Sequence, residues 1–465
     1  MAAEPETVVS DTLRHFLGTA AASFFDEHWL KKPLHVDRGL GTADDDGAAA
    51  RAANFYNPFF AIPDIEPLWH NAVASAQTDG DNPIMYKSGP KFVDVKSPFF
   101  AFPHRCSVVF NRADQFSEPV RRLCEAFQTQ FPFVYCNIYL TPPGAQTAPP
   151  HTDDRDVFLL QIDGAKDWTV WRDPPTPLPY RHEEFGKNWK GAGAAPPSFD
   201  PATAPVGLTC TLRRGDLLYI PRGCVHAGRA LDECSSLHLT MAVQTSDWDV
   251  GAAVRDGVKA VVGRLPSSRP VLSPAALRAL AAAVATNDGA PVALDAAAFA
   301  GATDAAAFAT CATDAAAAAT LPTCAAALAE RLRAMRLDRD EKTAAKTQAH
   351  HGHPVTGATL VVWNRTVRLR SVAPTDDALV ASVKWVALLE KVPPPGKGGA
   401  PPSQPAPTMP LSLSDETKRL LVYLSREAAE APVAVEHFPF LPGGALAQLC
   451  AANWLLRNQC LLRVS

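Results

Sequence analysis

The sequence predicts an α+β protein organised around an antiparallel jelly roll. Between residues 133 and 245, short runs rich in β-branched and aromatic residues are separated by Gly, Pro and Asp turns. This spacing is typical of two antiparallel sheets packed face to face. The runs lie at 134–141, 156–162, 167–172, 206–213, 216–220 and 235–244. We expect a turn at Asp163-Gly164 to separate the second run from the third.

The chain ahead of the jelly roll mixes helix and strand signals. A helix is predicted to begin near Thr12, and an extended segment follows Pro33, because the residue before a proline avoids helical backbone. Cys106–Phe110 has the pattern of a strand. Ser117 is predicted to cap an amphipathic helix that begins at Glu118-Pro119. Residues 55–105 give no clear pattern.

We expect three units along the chain. Residues 1–246 hold the jelly roll, with its core at 133–245, and residues 247–350 form an alanine-rich helical segment. Residues 351–465 form a C-terminal unit with a Pro/Gly linker at 393–410. Its last elements are predicted as helix, helix and strand, the order of a winged helix. A docking module that binds no nucleic acid is the alternative, since the charges form no basic recognition face.

Strands of the C-terminal unit are predicted at 360–363, 366–372 and 379–386, before the helices and the last strand. Aspartates at predicted helix N-caps recur in the alanine-rich segment, at 295, 304 and 314. The histidine cluster at 350–353 is more typical of a solvated loop than of a metal site.

Composition excludes several classes of protein. The 465 residues carry a formal net charge of −4, so any basic surface must be local. No run of eighteen apolar residues predicts a membrane span, and the acidic N-terminus predicts no signal peptide. Ten cysteines without a C-x-x-C pair indicate reduced thiols in a cytosolic or nuclear protein.

A histidine and a carboxylate stand two residues apart just before the second run. Side chains at i and i+2 of an extended segment point to the same side, so His151 and Asp153 converge. A third ligand would complete the facial triad of non-haem Fe(II) oxygenases, which leaves positions open for substrate and oxygen. The best candidate is His226, just past the turn Pro221-Arg222-Gly223. Because a lone H-x-D is common by chance, its neighbours must decide whether it is a metal site.

Two strands at matched offsets from these histidines each carry one polar face. Asn137 and Tyr139 alternate with apolar residues ahead of His151, as His238 and Thr240 do after His226. A polar face of an antiparallel sheet usually points to water. If these strands lie next to the segments that carry His151 and His226, their polar faces would line a cavity instead. Alternation alone does not decide between a face that points to water and one that lines a cavity.

Lys166 lies just beyond the expected turn, where an exposed hairpin lysine is the ordinary interpretation. At the mouth of a metal cavity it would instead pair with a dicarboxylate that chelates the metal at its other end.

Taken together, the motifs resemble those of the JmjC-type ribosomal oxygenases, which are Fe(II)- and 2-oxoglutarate-dependent protein hydroxylases. Their eukaryotic members are often named bifunctional lysine-specific demethylase and histidyl-hydroxylase. The matching motifs are FDEHWLKKPL at 25–34, NIYLTPPG at 137–144, PHTDD at 150–154, FLLQIDGAKDW at 158–168, GDLLYIPRGCVH at 215–226 and SLHLT at 236–240.

The resemblance implies a double-stranded β-helix (the cupin/JmjC jelly roll), a helical dimerisation segment and a C-terminal winged helix. It implies that Fe(II) is bound by His151, Asp153 and His226. It also implies a pocket for 2-oxoglutarate, with Lys166 on the distal carboxylate and walls that include Asn137, Tyr139, His238 and Thr240.

Three departures from the family pattern stand in this region. Thr152 replaces the usual aromatic residue between the two ligands, Arg155 and Asp156 add charge after the acidic pair, and Ala242 stands where some members carry serine. The first and third predict an altered substrate side of the pocket.

By the same resemblance, the expected activity uses O2 to hydroxylate a protein side chain while 2-oxoglutarate becomes succinate and CO2. The favoured substrate is a histidine of a large-subunit ribosomal protein, and histone lysine demethylation is a second activity. An arginine or asparagine substrate, or a catalytically silent scaffold, are the alternatives. A homodimer in the nucleus or nucleolus is expected, with the cytoplasm as the other location, and direct nucleic-acid binding is not favoured.

Overall fold

The architecture was determined from a computed structural model. It describes residues 10–39, 55–56, 58–79, 83–87, 106–187, 197–262, 310, 313–315, 321–346, 358–363, 367–372, 386–391, 408–412, 415–439, 441, 444–457 and 460–464.

Nine antiparallel strands within the described residues surround the candidate site. They are β1 (Leu34–Val36), β2 (Ile84–Lys87), β3 (Ser107–Phe110), β4 (Val134–Thr141), β5 (Asp156–Trp171), β6 (Val206–Arg213), β7 (Leu217–Ile220), β8 (His226–Ala230) and β9 (Ser236–Val243). The larger sheet has the order β1-β7-β5-β9-β4-β3-β2, and β6 and β8 pair with β5 off this path. The predicted antiparallel jelly roll is confirmed.

Strand β5 belongs to both sheets of the jelly roll. Its first half pairs with β7 and β9, and its second half pairs with β6 and β8. The prediction of two strands separated by a turn at Asp163-Gly164 is therefore wrong, because a single strand of 16 residues passes through that point.

A bulge in β5 explains why the local sequence resembles a turn. Gln161 pairs with His238 and Asp163 pairs with Leu237, so Ile162 is an extra residue on the β5 side. Gly164 follows with a φ of +65°, and a Cβ there would overlap the backbone oxygen of Ser235. Only glycine fits this close approach of two strands.

The bulge changes which alternate residues of β5 face the interior. Before it, Val157 and Leu159 point between the sheets while Phe158 and Leu160 pack on the outer core. After it, even-numbered residues such as Trp168 point inward. Because side chains alternate with a period of two, one extra residue exchanges the two faces.

The outer face of the larger sheet is covered by helical chain. Its helices are α1 (Asp11–Leu17), α2 (Ile65–Asp79) and α3 (Glu118–Phe127). Phe127 of α3 contacts both Phe16 of α1 and Phe158 of β5, with ring centroids 5.0 and 5.5 Å apart. Helix α3 begins where predicted, but Ser117 makes no side-chain capping bond. Helix α2 falls in the stretch that gave no pattern.

Helices and short strands follow the jelly roll. They are α4 (Val250–Val262), α5 (Leu321–Lys346), β10 (Leu360–Trp363), β11 (Val367–Val372), β12 (Val386–Lys391), β13 (Thr408–Ser412), α6 (Asp415–Glu430), β14 (Val433–Ala434), α7 (Gly444–Arg457) and β15 (Leu461–Arg463). Two three-stranded sheets form, β14-β10-β15 and β11-β12-β13. The winged helix and the dimerisation segment stay predictions.

Some expectations shift in this part of the chain. The third strand of the C-terminal unit is predicted at 379–386, whereas the corresponding strand β12 begins at Val386. Residues 408–410 of the expected linker belong to β13. The aspartates at 295 and 304, the histidine cluster at 350–353 and most of the linker lie outside the described residues. Asp314 lies within the helical residues 313–315 and not at an N-cap.

The nine cysteines in the described part of the chain are all free thiols. None of the helices in that part is long and apolar enough to cross a membrane.

Candidate metal and cosubstrate site

The two candidate histidine ligands are cross-strand neighbours. The His151 backbone N–H donates to the His226 carbonyl at 3.2 Å, and the His226 N–H donates to the His151 carbonyl at 2.9 Å. This reciprocal pair holds the imidazole centroids 4.4 Å apart. His226 is the first residue of β8, opposite Val170 of β5, so a sheet ladder fixes its position.

Backbone carbonyls orient both imidazoles. Nδ1 of His151 lies 2.8 Å from the Pro149 oxygen, and Nδ1 of His226 lies 3.0 Å from the Cys224 oxygen. Each carbonyl selects the tautomer with the proton on Nδ1, which leaves Nε2 free to bind a metal. Burial lowers the pKa of His151 to about 3 and also lowers the pKa of His226. Both rings are therefore neutral, as metal binding requires.

Asp153 completes a cluster whose three ligand atoms lie within 4.8 Å of one another. Its Oδ2 is 3.5 Å from Nε2 of His226. Burial acts to raise the pKa of Asp153, but the nearby positive charge of Lys187 opposes it, and the pKa of Asp153 lies below its usual range. Two neutral imidazoles and one carboxylate on one side form the donor set of a facial triad.

All eight predicted site residues line one cavity of about 290 Å³. They are Asn137, Tyr139, His151, Asp153, Lys166, His226, His238 and Thr240. Asn137 and Tyr139 on β4 pair with Thr240 and His238 on β9, which places the four wall residues on adjacent strands. The polar faces of these strands therefore enclose a cavity instead of facing water.

Lys166 lies inside this cavity, not at its mouth as expected. Lys166 is only 1% exposed, because the bulge in β5 turns its side chain inward. Among the described residues, its ammonium group has one hydrogen-bond partner, Oγ1 of Thr141 at 3.3 Å, and it also lies 5.1 Å from the Trp168 ring centroid. Burial lowers the pKa of Lys166 to about 7. A buried amine with only a neutral partner is a binding site for an anion.

Two further buried polar atoms in the cavity have no partner among the described residues. They are Nδ1 of His238 and Nε1 of Trp168. The His238 ring stacks on Tyr139 with centroids 4.9 Å apart, so its orientation is fixed. Buried polar atoms are normally hydrogen-bonded. These groups and Lys166 therefore fit a polar anion such as 2-oxoglutarate bound beside the metal ligands.

A short segment at residues 184–187, which we call the strap, holds the loop that carries the first two ligands. Thr152 and Phe185 exchange two hydrogen bonds: Thr152 N–H donates to the Phe185 carbonyl at 3.1 Å, and Phe185 N–H donates to Thr152 Oγ1 at 2.8 Å. Asp154 N–H donates to Glu184 Oε1 at 3.2 Å. Lys187 pairs with Asp153.

The departures from the family pattern have structural explanations. Thr152 is 1% exposed and its hydroxyl is bound to the strap, so it does not line the cavity as predicted. Asp156 is buried and accepts a hydrogen bond from Thr245 Oγ1 at 2.7 Å, which ties β5 to the turn just after β9. Ala242 does line the cavity, and Arg155 lines it as well.

Sequence reasoning missed the strap, Thr141 and Lys187. Lys187 and Glu184 lie in a proline-rich stretch with no periodicity, and their contacts with the ligand loop are 30 or more residues away along the chain. Thr141 belongs to the motif at 137–144, but its hydroxyl comes within hydrogen-bond distance of Lys166 only in the folded chain.

Part of the chain is similar to a known domain family and to two curated proteins. Residues 111–249 match the JmjC domain. Ribosomal oxygenase 2 of Mus musculus is 28% identical over 251 residues, which are 52% of this chain and 48% of that protein. The bifunctional lysine-specific demethylase and histidyl-hydroxylase NO66 of Dictyostelium discoideum is 31% identical over 233 residues, 48% of this chain and 41% of that protein.

The chain thus spans about half the length of these curated relatives. Among solved structures it is similar to YcfD, a ribosomal oxygenase from Escherichia coli in complex with cobalt and 2-oxoglutarate. That likeness has 15% identity and a TM-score of 0.36, and covers 97% of this chain and 99% of the other.

Proposed function

We propose that this chain is an Fe(II)- and 2-oxoglutarate-dependent oxygenase that hydroxylates a protein side chain, because residues 111–249 match the JmjC domain and the chain is similar to proteins named as ribosomal oxygenase and histidyl-hydroxylase. One observation carries this proposal: a His-Asp-His cluster and a buried lysine line the same cavity. Lys166 lies four residues along β5 from Val170, the partner of His226, which is about 13 Å along the strand. A lysine side chain and a short dicarboxylate together bridge that distance.

When bound, the iron, 2-oxoglutarate and O2 supply the oxidising chemistry that inserts one oxygen atom into a C–H bond and yields succinate and CO2. The residues of this chain bind the metal and the cosubstrate and hold them in position. His151 and His226 present Nε2 while backbone carbonyls hold Nδ1. Lys166 fixes the far carboxylate of the cosubstrate, and the buried side chains of Trp168, His238 and Thr240 shield it from water.

The favoured substrate is a histidine of a large-subunit ribosomal protein. The names of the relatives, ribosomal oxygenase and histidyl-hydroxylase, support this choice. Lysine demethylation is a second candidate because the same relative is also named as a demethylase, and a hydroxylated N-methyl group leaves as formaldehyde. Arginine and asparagine are the other side chains to test.

The first experiment is an anaerobic titration of the Fe(II)-loaded protein with 2-oxoglutarate. We expect saturable binding with a visible charge-transfer band, which His151→Ala abolishes and Lys166→Ala weakens. Unchanged 2-oxoglutarate binding and turnover in both variants would overturn the proposed site. A wild-type protein that binds neither metal nor cosubstrate would instead be a scaffold.

The substrate is identified by mass spectrometry of candidate ribosomal peptides after aerobic incubation. Gain of one oxygen atom on a histidine supports the favoured substrate. The same gain on arginine or asparagine, or loss of a methyl group from a histone lysine, would replace it.

We also propose that residues 247–350 form a homodimer and that the protein acts in the nucleus or nucleolus, with the cytoplasm as the alternative. The support is the resemblance alone. Sedimentation of the full chain and fluorescence microscopy of a tagged chain test these two points.

A further inference from the structure

An open groove of about 820 Å³ adjoins the metal cavity. The two share Asn111, Asn137 and Arg155, so an occupant of the groove reaches the cavity past Arg155. Arg155 lies two residues after the metal ligand Asp153 in the sequence. A polypeptide lying in the groove can therefore insert one side chain toward the metal cluster.

The groove has an excess of positive charge. Its lining includes four arginines and two aspartates: Arg112, Arg155, Arg181, Arg255, Asp154 and Asp247. Arg112 is bound to Asp114 through two hydrogen bonds of 3.3 and 3.2 Å, and Arg155 is paired with Asp154. Asp247 accepts from Arg331 at 2.6 Å.

Two arginines are left without an acidic partner within the described residues, Arg181 and Arg255. Both are exposed and both adjoin Tyr180 on the rim of the groove. The Arg255 guanidinium lies 5.8 Å from the Tyr180 ring centroid. We call Tyr180, Arg181 and Arg255 the cationic rim.

Hydrogen bonds hold the chain around Tyr180 of the cationic rim in a fixed position. Arg222 is buried and donates to the carbonyls of Leu178 and Pro179 at 2.7 and 2.8 Å, which holds the chain just before Tyr180. Its guanidinium also lies 5.3 Å from the Tyr180 ring centroid. Tyr180 N–H donates to Glu183 at 3.0 Å. The ring is thus positioned before any ligand binds.

We propose that the groove binds the protein substrate and that Arg181 and Arg255 select an acidic side chain next to the residue that is oxidised. Guanidinium groups bind carboxylates with two parallel hydrogen bonds, which a peptide with Asp or Glu at that position supplies. A nucleic-acid backbone would present a row of closely spaced phosphates, and the groove offers only these two arginines without an acidic partner among the described residues. The inference rests on the proposed function for the place where oxidation occurs.

The test uses the full chain loaded with Mn(II) and the inert cosubstrate analogue N-oxalylglycine. A displayed library of random peptides is selected against the wild type and against Arg181→Glu/Arg255→Glu. We expect the wild type to enrich peptides rich in Asp and Glu, and the double variant to bind them roughly tenfold more weakly or worse. The control Lys259→Glu/Arg333→Glu makes the same change of net charge at two exposed positions outside the groove and should select like the wild type.

Equal acidic enrichment by the Arg181→Glu/Arg255→Glu variant, enrichment of basic peptides by the wild type, or no enrichment would each overturn the inference. Single-stranded RNA binding that is lost in this variant, with peptide selection unchanged, would assign the rim to nucleic acid instead. N-oxalylglycine binding is measured on the same samples. Its absence counts against the proposed function, whereas normal binding without acidic selection counts against the groove alone.

Discussion

At the scale of single residues, the most informative group is Lys166. An ammonium group buried beside a hydroxyl and an indole ring loses its hydration without gaining a counter-ion, so its pKa falls to about 7. The titratable group that faces it from the adjoining strand is His238, whose own pKa is held well below its usual value by burial and by Lys166. A bound carboxylate would restore the charge of the lysine.

We therefore expect 2-oxoglutarate affinity to depend on pH. The carboxylate pairs with protonated Lys166, so the pKa of the lysine rises on binding and a proton is taken up. Affinity is full below about pH 7 and falls by up to about tenfold per unit above it. Calorimetry of 2-oxoglutarate binding to the Mn(II)-loaded protein in buffers of different ionisation enthalpy measures this uptake.

Lys166→Met is the matched control for this pH dependence. It should bind 2-oxoglutarate more weakly by about 2–3 kcal/mol, because a charge-assisted hydrogen bond is lost, and its affinity should not vary with pH above 7. A wild-type affinity that stays flat through this range would show that Lys166 is not the counter-ion.

Thr152 gives a second prediction at this scale. Thr152→Val keeps the shape but leaves the Phe185 N–H without its acceptor, so we expect a loss of about 1–2 kcal/mol of unfolding free energy and weaker Mn(II) binding. Thr152→Ser retains the hydroxyl and should recover both. Urea unfolding and Mn(II) titration followed by electron paramagnetic resonance are the measurements. If valine and serine behave alike, the hydroxyl does not position the ligand loop.

At the scale of elements, the strap and the ligand loop behave as one unit. Each of residues 152–154 contacts one strap residue, and the strap in turn approaches the backbone of Pro150 and His151 at Gly186. The loop preceding β5 is thus supported along its length by a segment with no regular secondary structure of its own. Rigid support of this kind keeps metal ligands in a single geometry.

Gly186→Ala tests this unit. Gly186 has a φ of +70°, and a Cβ there would overlap the Pro150 carbonyl oxygen, so the substitution must displace the loop that carries His151. We expect Mn(II) affinity to fall at least about tenfold, beyond the backbone strain of roughly 1–2 kcal/mol in folding stability.

Gly39→Ala is a suitable comparison, because Gly39 has a φ of +63° and no described residue lies within 4 Å of the added Cβ. It should carry the backbone strain without any loss of metal affinity. Equal metal affinity in the two variants would mean that the strap does not transmit the displacement to His151.

At the scale of the whole molecule, helix α5 is attached to the jelly roll through arginines. Arg336 donates to the Pro132 carbonyl at 2.8 Å, and Arg331 donates to the Asp247 carbonyl at 2.9 Å. Arg339 is only 2% exposed and donates to Gln128 at 3.0 Å and to Glu125 at 3.3 Å. The helix therefore braces the chain segments on both sides of the barrel strands.

Arg339→Ala should lower the free energy of unfolding by about 1–3 kcal/mol, since it removes a buried side chain and leaves Gln128 without that donor. This expected loss of unfolding free energy is smaller than the loss for a fully buried ion pair, because the Glu125 side chain is 37% exposed. Arg333→Ala, at an exposed pair with Glu330 on the same helix, should cost less than about 0.5 kcal/mol. Chemical denaturation compares the two, and equal losses would contradict the bracing role of Arg339.

The sequence predicted those parts of the fold that depend on local pattern. Strands β4, β6 and β9 lie within about a residue of their predicted bounds because alternation and flanking turns are local signals. The direction of Lys166 could not be predicted, because Asp163-Gly164 has the composition of a turn and only pairing with β9 makes it a bulge. The strap was missed for a similar reason: its bonds to Thr152 and Asp154 join segments that share no pattern.

The bulge at Ile162 means that the site depends on a count of residues as well as on their identities. If β5 passed through this point as a regular strand without the bulge, every predicted ligand would remain in the chain, yet Lys166 would turn outward and Ala165 and Asp167 would face the cavity. Two related chains can therefore share the same lysine and differ in whether it reaches the cosubstrate. When this protein is aligned or redesigned, the bulge in β5 has to be considered together with the number of residues between Gln161 and Lys166.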